Sequence, residues 1–238
     1  MNSPYRPMEF IGHSSVAARN GVLLVYAGHP MREQAELYIQ RVYRRSFAAK
    51  IHHFSPLLLV WLDSRQRIQG VVGLTQAEQQ TLFLEQYLRA PVEQVLAEAV
   101  SDVDCRRNIV EIGNLAMVDR SSVRKMICFL SEYLAEQEVE WVVFTAMAEL
   151  FNSFKRLGLP LTHLAAADPG LLGNDVVEWG SYYDGLPQVV AGRVAEGLIL
   201  QTASPAVAGS VKSDTSLDRI AQQPLLPLPC QIQPAQIL

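Results

Sequence analysis

Continuous apolar runs and amphipathic stripes alternate along the chain. Val22-Leu23-Leu24-Val25-Tyr26-Ala27 is apolar without alternation, the pattern of a strand covered on both faces. Gly28-His29-Pro30 breaks it. From Met31 to about Ala49 a helix is predicted, with Ala35, Tyr38, Val42 and Tyr43 at helical spacing opposite a charged face. Leu57 to Leu62 and Ile68 to Leu74 flank the polar turn Asp63-Ser64-Arg65-Gln66 and predict a hairpin. Pro91 opens a short helix that turns Val92, Val95, Leu96 and Ala99 inward. Ile109 to Met117 is a fourth strand. The strongest helical stripe, Val123, Met126, Ile127, Leu130 and Leu134, lies in a helix from about Ser121 to Gln137 that Asp119 or Ser121 caps. Trp141 to Met147 is a fifth strand. The next helix carries Leu150, Phe151, Phe154 and Leu157 on one side and ends at Lys155, Arg156 and Gly158. Two extended pieces follow, Leu161 to Ala165 and Gln188 to Val194.

Helix crossovers imply parallel neighbours, whereas the hairpin and the last strands imply antiparallel ones. The order therefore predicts a mixed α/β sheet with helices on both faces. Residues 1–20 read as an N-terminal extension and 21–200 as one domain. Residues 201–238, rich in Ser, Ala, Gln and Pro and without aromatics, read as a disordered tail. Within it, Leu225-Leu226-Pro227-Leu228-Pro229 is either a docking segment in polyproline conformation or ordinary tail.

Composition narrows the classes. At 49% hydrophobic residues, the 238-residue chain can bury a full core, and a net charge of −4 argues against a general nucleic-acid binder. Three widely spaced cysteines indicate neither a disulfide framework nor a zinc knuckle. No secretory signal is evident, and the longest strongly apolar run, Pro56 to Leu62, is far too short for a bilayer. A cytoplasmic protein is expected. The nucleophile-elbow, zinc-protease, phosphate-loop and dinucleotide motifs are all absent, and the scattered histidines predict no metal site.

One position stands out. Glu111 lies inside Ile109-Val110-Glu111-Ile112-Gly113-Asn114-Leu115-Ala116-Met117, and a carboxylate in a buried strand is expensive unless it is paired, hydrogen-bonded or used. Its bland alternative is a structural carboxylate bonded to Arg106, Arg107 or a neighbouring helix.

This segment and the element order resemble the GNAT-type acyltransferase fold. The sequence is most similar to the thermostable hemolysin family, through Leu82-Phe83-Leu84-Glu85-Gln86-Tyr87-Leu88, Pro91-Val92-Glu93, Ile109 to Ala116, Trp141-Val142-Val143-Phe144-Thr145 and Trp179-Gly180-Ser181-Tyr182-Tyr183. A weaker similarity reaches acyl-homoserine-lactone and N-acyl amino acid synthases, through Arg44-Arg45-Ser46-Phe47 and Glu111 to Ala116. Asn114 and Val110 replace an Arg and a Trp of that pattern, and Thr75 stands where a basic residue is expected.

The resemblance implies a mixed, mostly antiparallel sheet whose fourth and fifth strands splay apart to take an acyl-pantetheine arm. Leu115, Ala116 and Met117 on the strand edge, and Arg124 on the following helix, are the implied contacts to that arm. The turn Val118-Asp119-Arg120-Ser121-Ser122-Val123-Arg124 lacks the glycines that cradle a pyrophosphate, which favours an acyl carrier protein over coenzyme A as donor. No tightly bound cofactor is implied.

The expected function is transfer of a fatty acyl group from such a thioester to a small amine or amino acid. Glu111 is the candidate base, and Tyr182 the candidate proton donor to the leaving thiolate. Arg44, Glu85, Asn114, Trp179 and Tyr183 are candidate substrate contacts. Each also has a plain structural reading: Arg44 as a helix-end charge, Glu85 as a solvated loop residue, Asn114 as a ligand of a bulged backbone, the aromatics as packing. The alternatives in function are a membrane-active hemolysin and a catalytically inactive binding module.

Overall fold

The computed structural model describes residues 21–100, 103, 105–117 and 123–202. The proposed extension 1–20, residues 203–238 of the proposed tail 201–238, the Leu225 to Pro229 segment and the candidate caps Asp119 and Ser121 lie outside the described residues. The elements are β1 (Val22–Val25), α1 (Arg32–Phe47), β2 (Leu57–Leu62), β3 (Ile68–Gln76), a 3-10 helix (Phe83–Tyr87), α2 (Val92–Ala99), β4 (Ile109–Met117), α3 (Val123–Glu136), β5 (Trp141–Ala146), α4 (Ala148–Arg156), β6 (Thr162–Ala166), 3-10 turns over Pro169–Trp179 and Tyr182–Gly185, β7 (Gln188–Arg193) and α5 (Val194–Thr202).

The strands form one sheet in the order β1-β2-β3-β4-β5-β7-β6. Every pairing is antiparallel except β4 with β5. Alternation along the central strands divides the core between two faces. Leu57, Leu59, Val72, Leu74 and Val110 pack with Met126, Ile127, Leu130 and Leu134 of α3. Leu58, Val60 and Val71 pack with Ala35 and Ile39 of α1. Farther along that second face, Ile109 and Val143 join Leu84, Tyr87, Val92, Leu96 and Tyr183. Helices thus cover both faces of a mostly antiparallel sheet, the GNAT-like arrangement.

Two irregularities shape the centre. Between β3 and β4 the register runs Val71↔Ala116 and then Gly73↔Gly113, so β4 spends an extra residue. Asn114 takes up the slack with φ 47°, a left-handed conformation that asparagine tolerates better than most residues. Such a bulge bends and twists its strand. Beyond it, β4 and β5 part company: they pair only over Ile109↔Trp141, Val110↔Val142 and Glu111↔Val143. From there β4 continues along β3 and β5 along β7.

Two features differ from the sequence expectation. The helix crossover from β5 does not deliver a parallel neighbour, because β7 inserts between β5 and β6 and pairs with both. Between the last predicted strand and the proposed tail, where no element is predicted, the chain forms α5. This stretch, Val194-Ala195-Glu196-Gly197-Leu198-Ile199-Leu200, is too uniformly apolar to display a stripe, and its glycine argues locally against a helix. The glycine is there for packing: a Cβ on Gly197 would lie 1.9 Å from Ser131 Oγ of α3. Among the described residues, no helix is long and apolar enough to cross a membrane.

Candidate active site

Glu111 sits on the last rung before β4 and β5 separate, in register with Thr75 on one side and Val143 on the other. Its side chain shares the α1 and α2 face with Ile109 and Val143, and the residue is 6% exposed. The carboxylate does not reach Arg106 or Arg107. Oε2 accepts from the Phe83 amide at 2.7 Å and Oε1 from the Leu84 amide at 3.0 Å, so Glu111 holds the free N–H groups that open the Phe83–Tyr87 turn. Burial pushes the Glu111 carboxyl up to about 7, against the lowering by these two amides and with a further rise from the Glu85 charge. It is therefore poised to exchange a proton near neutral pH.

Glu85 belongs to the frame around this group and is not a solvated loop residue. Its carboxylate accepts from the Leu82 and Val92 amides at 2.8 and 2.9 Å and receives a two-pronged bond from Arg106 at 2.5 and 2.7 Å. Arg106 also reaches Glu93 at 2.7 Å and the Ala77 carbonyl at 2.6 Å. Burial raises the Glu85 carboxyl, but the Arg106 bond and the two amides outweigh it and hold the group below its ordinary value. The cluster fastens the loop between β3 and α2, which fixes where the Phe83 and Leu84 amides point.

Asn114 is likewise committed to backbone. Its Oδ1 accepts from the Ser55 amide at 2.8 Å and its Nδ2 donates to the His53 carbonyl at 3.0 Å, clamping the loop before β2 onto the bulge. Gly73 permits this close approach, since a Cβ there would lie 2.5 Å from Ser55 Oγ.

Trp179, Tyr182 and Tyr183 gather over the same face as Glu111. Trp179 lies 5.4 Å from Phe83 and 6.0 Å from Tyr183, centroid to centroid. Tyr182 packs against Phe47 at 5.2 Å and Tyr43 at 6.4 Å, and burial raises its phenol well above the ordinary value. The Tyr183 hydroxyl pairs with that of Tyr87 in a short hydrogen bond. Phe83 and Tyr87 were not singled out from the sequence, although their spacing on one helical turn beside Glu85 is a readable signal. The segment is docked on the end of α1 by bonds from Lys50 N to Glu178 O and from Ser181 N to Phe47 O, at 2.6 and 2.9 Å.

Other candidates lie apart. Arg44 is exposed on the last turn of α1, and among the described residues no hydrogen bond or ion pair joins it to Glu85 or Glu111. Leu115 and Met117 are half-buried against the α3 side of the core, whereas Ala116 is fully buried against the α1 side. Arg124 donates to the Leu200 carbonyl of α5 at 3.0 Å. Between the diverging strands, on the face opposite Glu111, an apolar cavity of about 60 Å³ is lined by Ile112, Val142, Phe144, Leu130, Phe154 and Gly197, among others. Among the described residues, no group of three potential ligands could hold a metal ion.

Among solved structures, the fold is similar to that of FeeM, an N-acyl amino acid synthase from uncultured soil microbes, with 13% identity, TM-score 0.52, and coverage of 77% of this chain and 97% of that one. MesI, a CoA-dependent acyl-homoserine lactone synthase, matches at 15% identity and TM-score 0.48 over 81% of this chain and 99% of its own. A GNAT-family acetyltransferase from Staphylococcus aureus Mu50 matches at 9% identity and TM-score 0.41, over 73% and 99% of the two chains. No curated protein sequence matches the chain. The family model for thermostable hemolysin matches residues 25–198, from the end of β1 into α5, and the chain belongs to that family.

Proposed function

We propose that this chain is an N-acyltransferase that moves a fatty acyl group from a pantetheine thioester to a small amine or amino acid. The observation that carries this reading is the parting of β4 and β5 immediately beyond Glu111, a buried carboxylate that burial pushes up to about 7. From Ile112 to Met117 the β4 edge has no β5 partner, and an amide-rich arm can pair with it as an added strand. Leu115, Ala116 and Met117 are the backbone contacts in this scheme, with Arg124 near the arm's phosphate. The apolar cavity of about 60 Å³ takes the first few carbons of the acyl chain.

In the reaction, Glu111 takes a proton from the bound ammonium. The free amine attacks the thioester carbonyl, an N–H of β4 stabilises the developing oxyanion, and the C–S bond breaks as the C–N bond stays. Tyr182 or Tyr183 supplies the proton to the departing thiolate and is reprotonated by the second proton that the amide nitrogen sheds, and Arg44 reads a polar group of the acceptor. FeeM, which shares the fold, is named for chemistry of this class. The donor is a carrier-protein thioester in preference to coenzyme A, because the turn after β4 has no glycine. The reaction belongs to residues 21–200, in the cytoplasm.

The test is to incubate purified protein with acyl carrier protein and coenzyme A thioesters plus a pool of amines, and to search for acyl-amides by mass spectrometry. An amide that requires protein and donor is expected. Folded protein that forms none with any donor overturns the proposal. One observation favours a second reading, an inactive binding module: Glu111 and Asn114 both already serve backbone groups. Thioester binding without product is its signature.

A further inference from the structure

Exposed cations gather on the elements around the end of β4. Tyr38, Arg41 and Arg45 stand at i, i+3 and i+7 on α1, one stripe of the helix. The Tyr38 hydroxyl donates to the Gln69 carbonyl at 3.1 Å, and Gln69 precedes Gly70, which is in register with Met117. The stripe therefore overlooks the last rung of β4. Burial raises the Tyr38 phenol, and the nearby Arg41 charge opposes that rise. Arg65 lies in the turn between β2 and β3, just past the same rung. Lys125 lies in the first turn of α3, the helix that follows β4 in the chain. Arg41, Arg45, Arg65 and Lys125 are all exposed, and among the described residues none of them forms an ion pair.

Local structure does not account for these charges. Arg41 and Arg45 repel one another at i, i+4. The first turn of α3 holds Arg124 and Lys125 and no acid, where the helix dipole favours the opposite sign. Asp63, the acid of the β2 to β3 turn, is engaged by Arg67 at 2.7 Å and leaves Arg65 without a partner. The chain as a whole carries a net charge of −4, and Glu136, Glu138 and Glu140 lie toward the opposite end of the sheet, where α3 leads into β5. Charge is thus divided along the direction of β4, positive where the strand ends. The surface is also polar. Among the exposed large hydrophobic residues described, Leu37 alone lies on these elements, so there is little to insert into lipid.

We infer that Arg41, Arg45, Arg65 and Lys125 form a docking surface for an acidic protein, the carrier that bears the pantetheine arm. This rests on the acyltransferase reading for the identity of the partner; the docking itself needs no turnover. In that reading the reactive carbon lies at the Glu111 rung and the arm runs along β4 to Met117. The phosphate end, by which an arm is attached to its carrier, then emerges at this surface. The cations meet acidic side chains around the attachment point, steer the encounter and fix its register. Arg44 belongs to a different side of α1: it precedes Phe47 by one helical turn, toward the Tyr182 ring, and stays with the acceptor.

The test titrates the full chain into labelled holo acyl carrier protein, without an acyl chain, and follows binding by fluorescence anisotropy. Binding is expected, and high salt is expected to weaken it about tenfold or more. The double variant Arg41→Glu/Arg45→Glu is expected to weaken it about tenfold or more, and Arg65→Glu, on a separate element, about threefold. Arg156→Glu, an exposed cation on α4, is expected to bind as wild type, and circular dichroism confirms that each variant is folded. Coenzyme A and phosphatidylglycerol vesicles are titrated in parallel. An equal loss of coenzyme A binding in the double variant overturns the inference, because the cations then hold a nucleotide. Arginine-dependent vesicle binding without carrier binding overturns it in favour of a lipid surface, and carrier binding that ignores both variants overturns it outright. Arginine-dependent carrier binding with no amide formed from any donor upholds the inference and sinks the acyltransferase reading. Amide formed from acyl-coenzyme A by protein that does not bind the carrier does the reverse.

Discussion

At the scale of the residue, Glu111 unites two demands that usually separate. Two amide donors favour its charge, yet burial dominates and carries the carboxyl to about 7. The consequence for stability has an unusual sign for a carboxylate. Between the ordinary value of 4.5 and about 7, the folded chain keeps a proton that the unfolded chain has lost, so stability falls as pH rises through that window. The effect is on the order of 3 kcal/mol. Thermal melts of the wild type from pH 5 to 8 are expected to show this decline, and Glu111→Gln, which cannot titrate, is expected to flatten it. The same group governs catalysis in the proposed reaction. The acid limb of kcat/KM is expected near pH 7 in the wild type, and Glu111→Gln is expected to lower kcat/KM by about 100-fold or more and to erase that limb. Glu85 runs the other way. Its lowered carboxyl contributes stability above its unfolded value that is lost as pH falls through the folded one. Glu85→Ala leaves Arg106 only Glu93 and nearby carbonyls and frees the Leu82 and Val92 amides, so urea unfolding is expected to register a loss of about 1–3 kcal/mol.

At the scale of the element, glycines and asparagine decide which backbones can touch. Gly180 has φ 54° and ψ −127°, and a Cβ on it would lie 2.0 Å from the Phe47 carbonyl oxygen. Gly180→Ala must therefore lift the Trp179 segment off the end of α1. A stability loss of about 1–3 kcal/mol is expected in denaturant titrations. The tryptophan emission is expected to shift as Trp179 loses its neighbours, and Trp61, packed on the α3 side of the core, provides a fixed background. At the other end of the molecule, Gly197→Val is expected to push α5 from α3 and lower the melting temperature by several degrees, as overpacking of one contact does.

Much of this was legible in the sequence for a local reason. The hairpin of β2 and β3, the α3 stripe and the crossover from β4 to β5 rest on periodicity and on turn residues close in the chain. The insertion of β7 between β5 and β6 rests on pairings far apart in sequence, and periodicity carries no information about them. The site divides in the same way. Glu111 was conspicuous as a carboxylate in an apolar run, but its partners are amides 27 and 28 residues upstream, and backbone groups leave no mark in a sequence. Glu85 looked free because Arg106, its partner, lies 21 residues on.

At the scale of the whole molecule, the sheet is regular except where it has to be open. The Asn114 bulge bends β4, the pairing with β5 ends after three rungs, and each strand then follows a different neighbour. One face of the opening holds Glu111 and the aromatic rings, the other an apolar cavity under α3 and α5. This division suits a reaction that joins a polar amine to a greasy acyl chain. The measurement that tests it most directly is a crystal structure with an acyl-pantetheine thioether, which binds as donor but cannot transfer its chain. The account predicts the arm along β4 from Ile112 to Met117, its tail in the cavity and its reactive carbon at the Glu111 rung. An arm seated elsewhere on the molecule, with the edge of β4 bare, contradicts it.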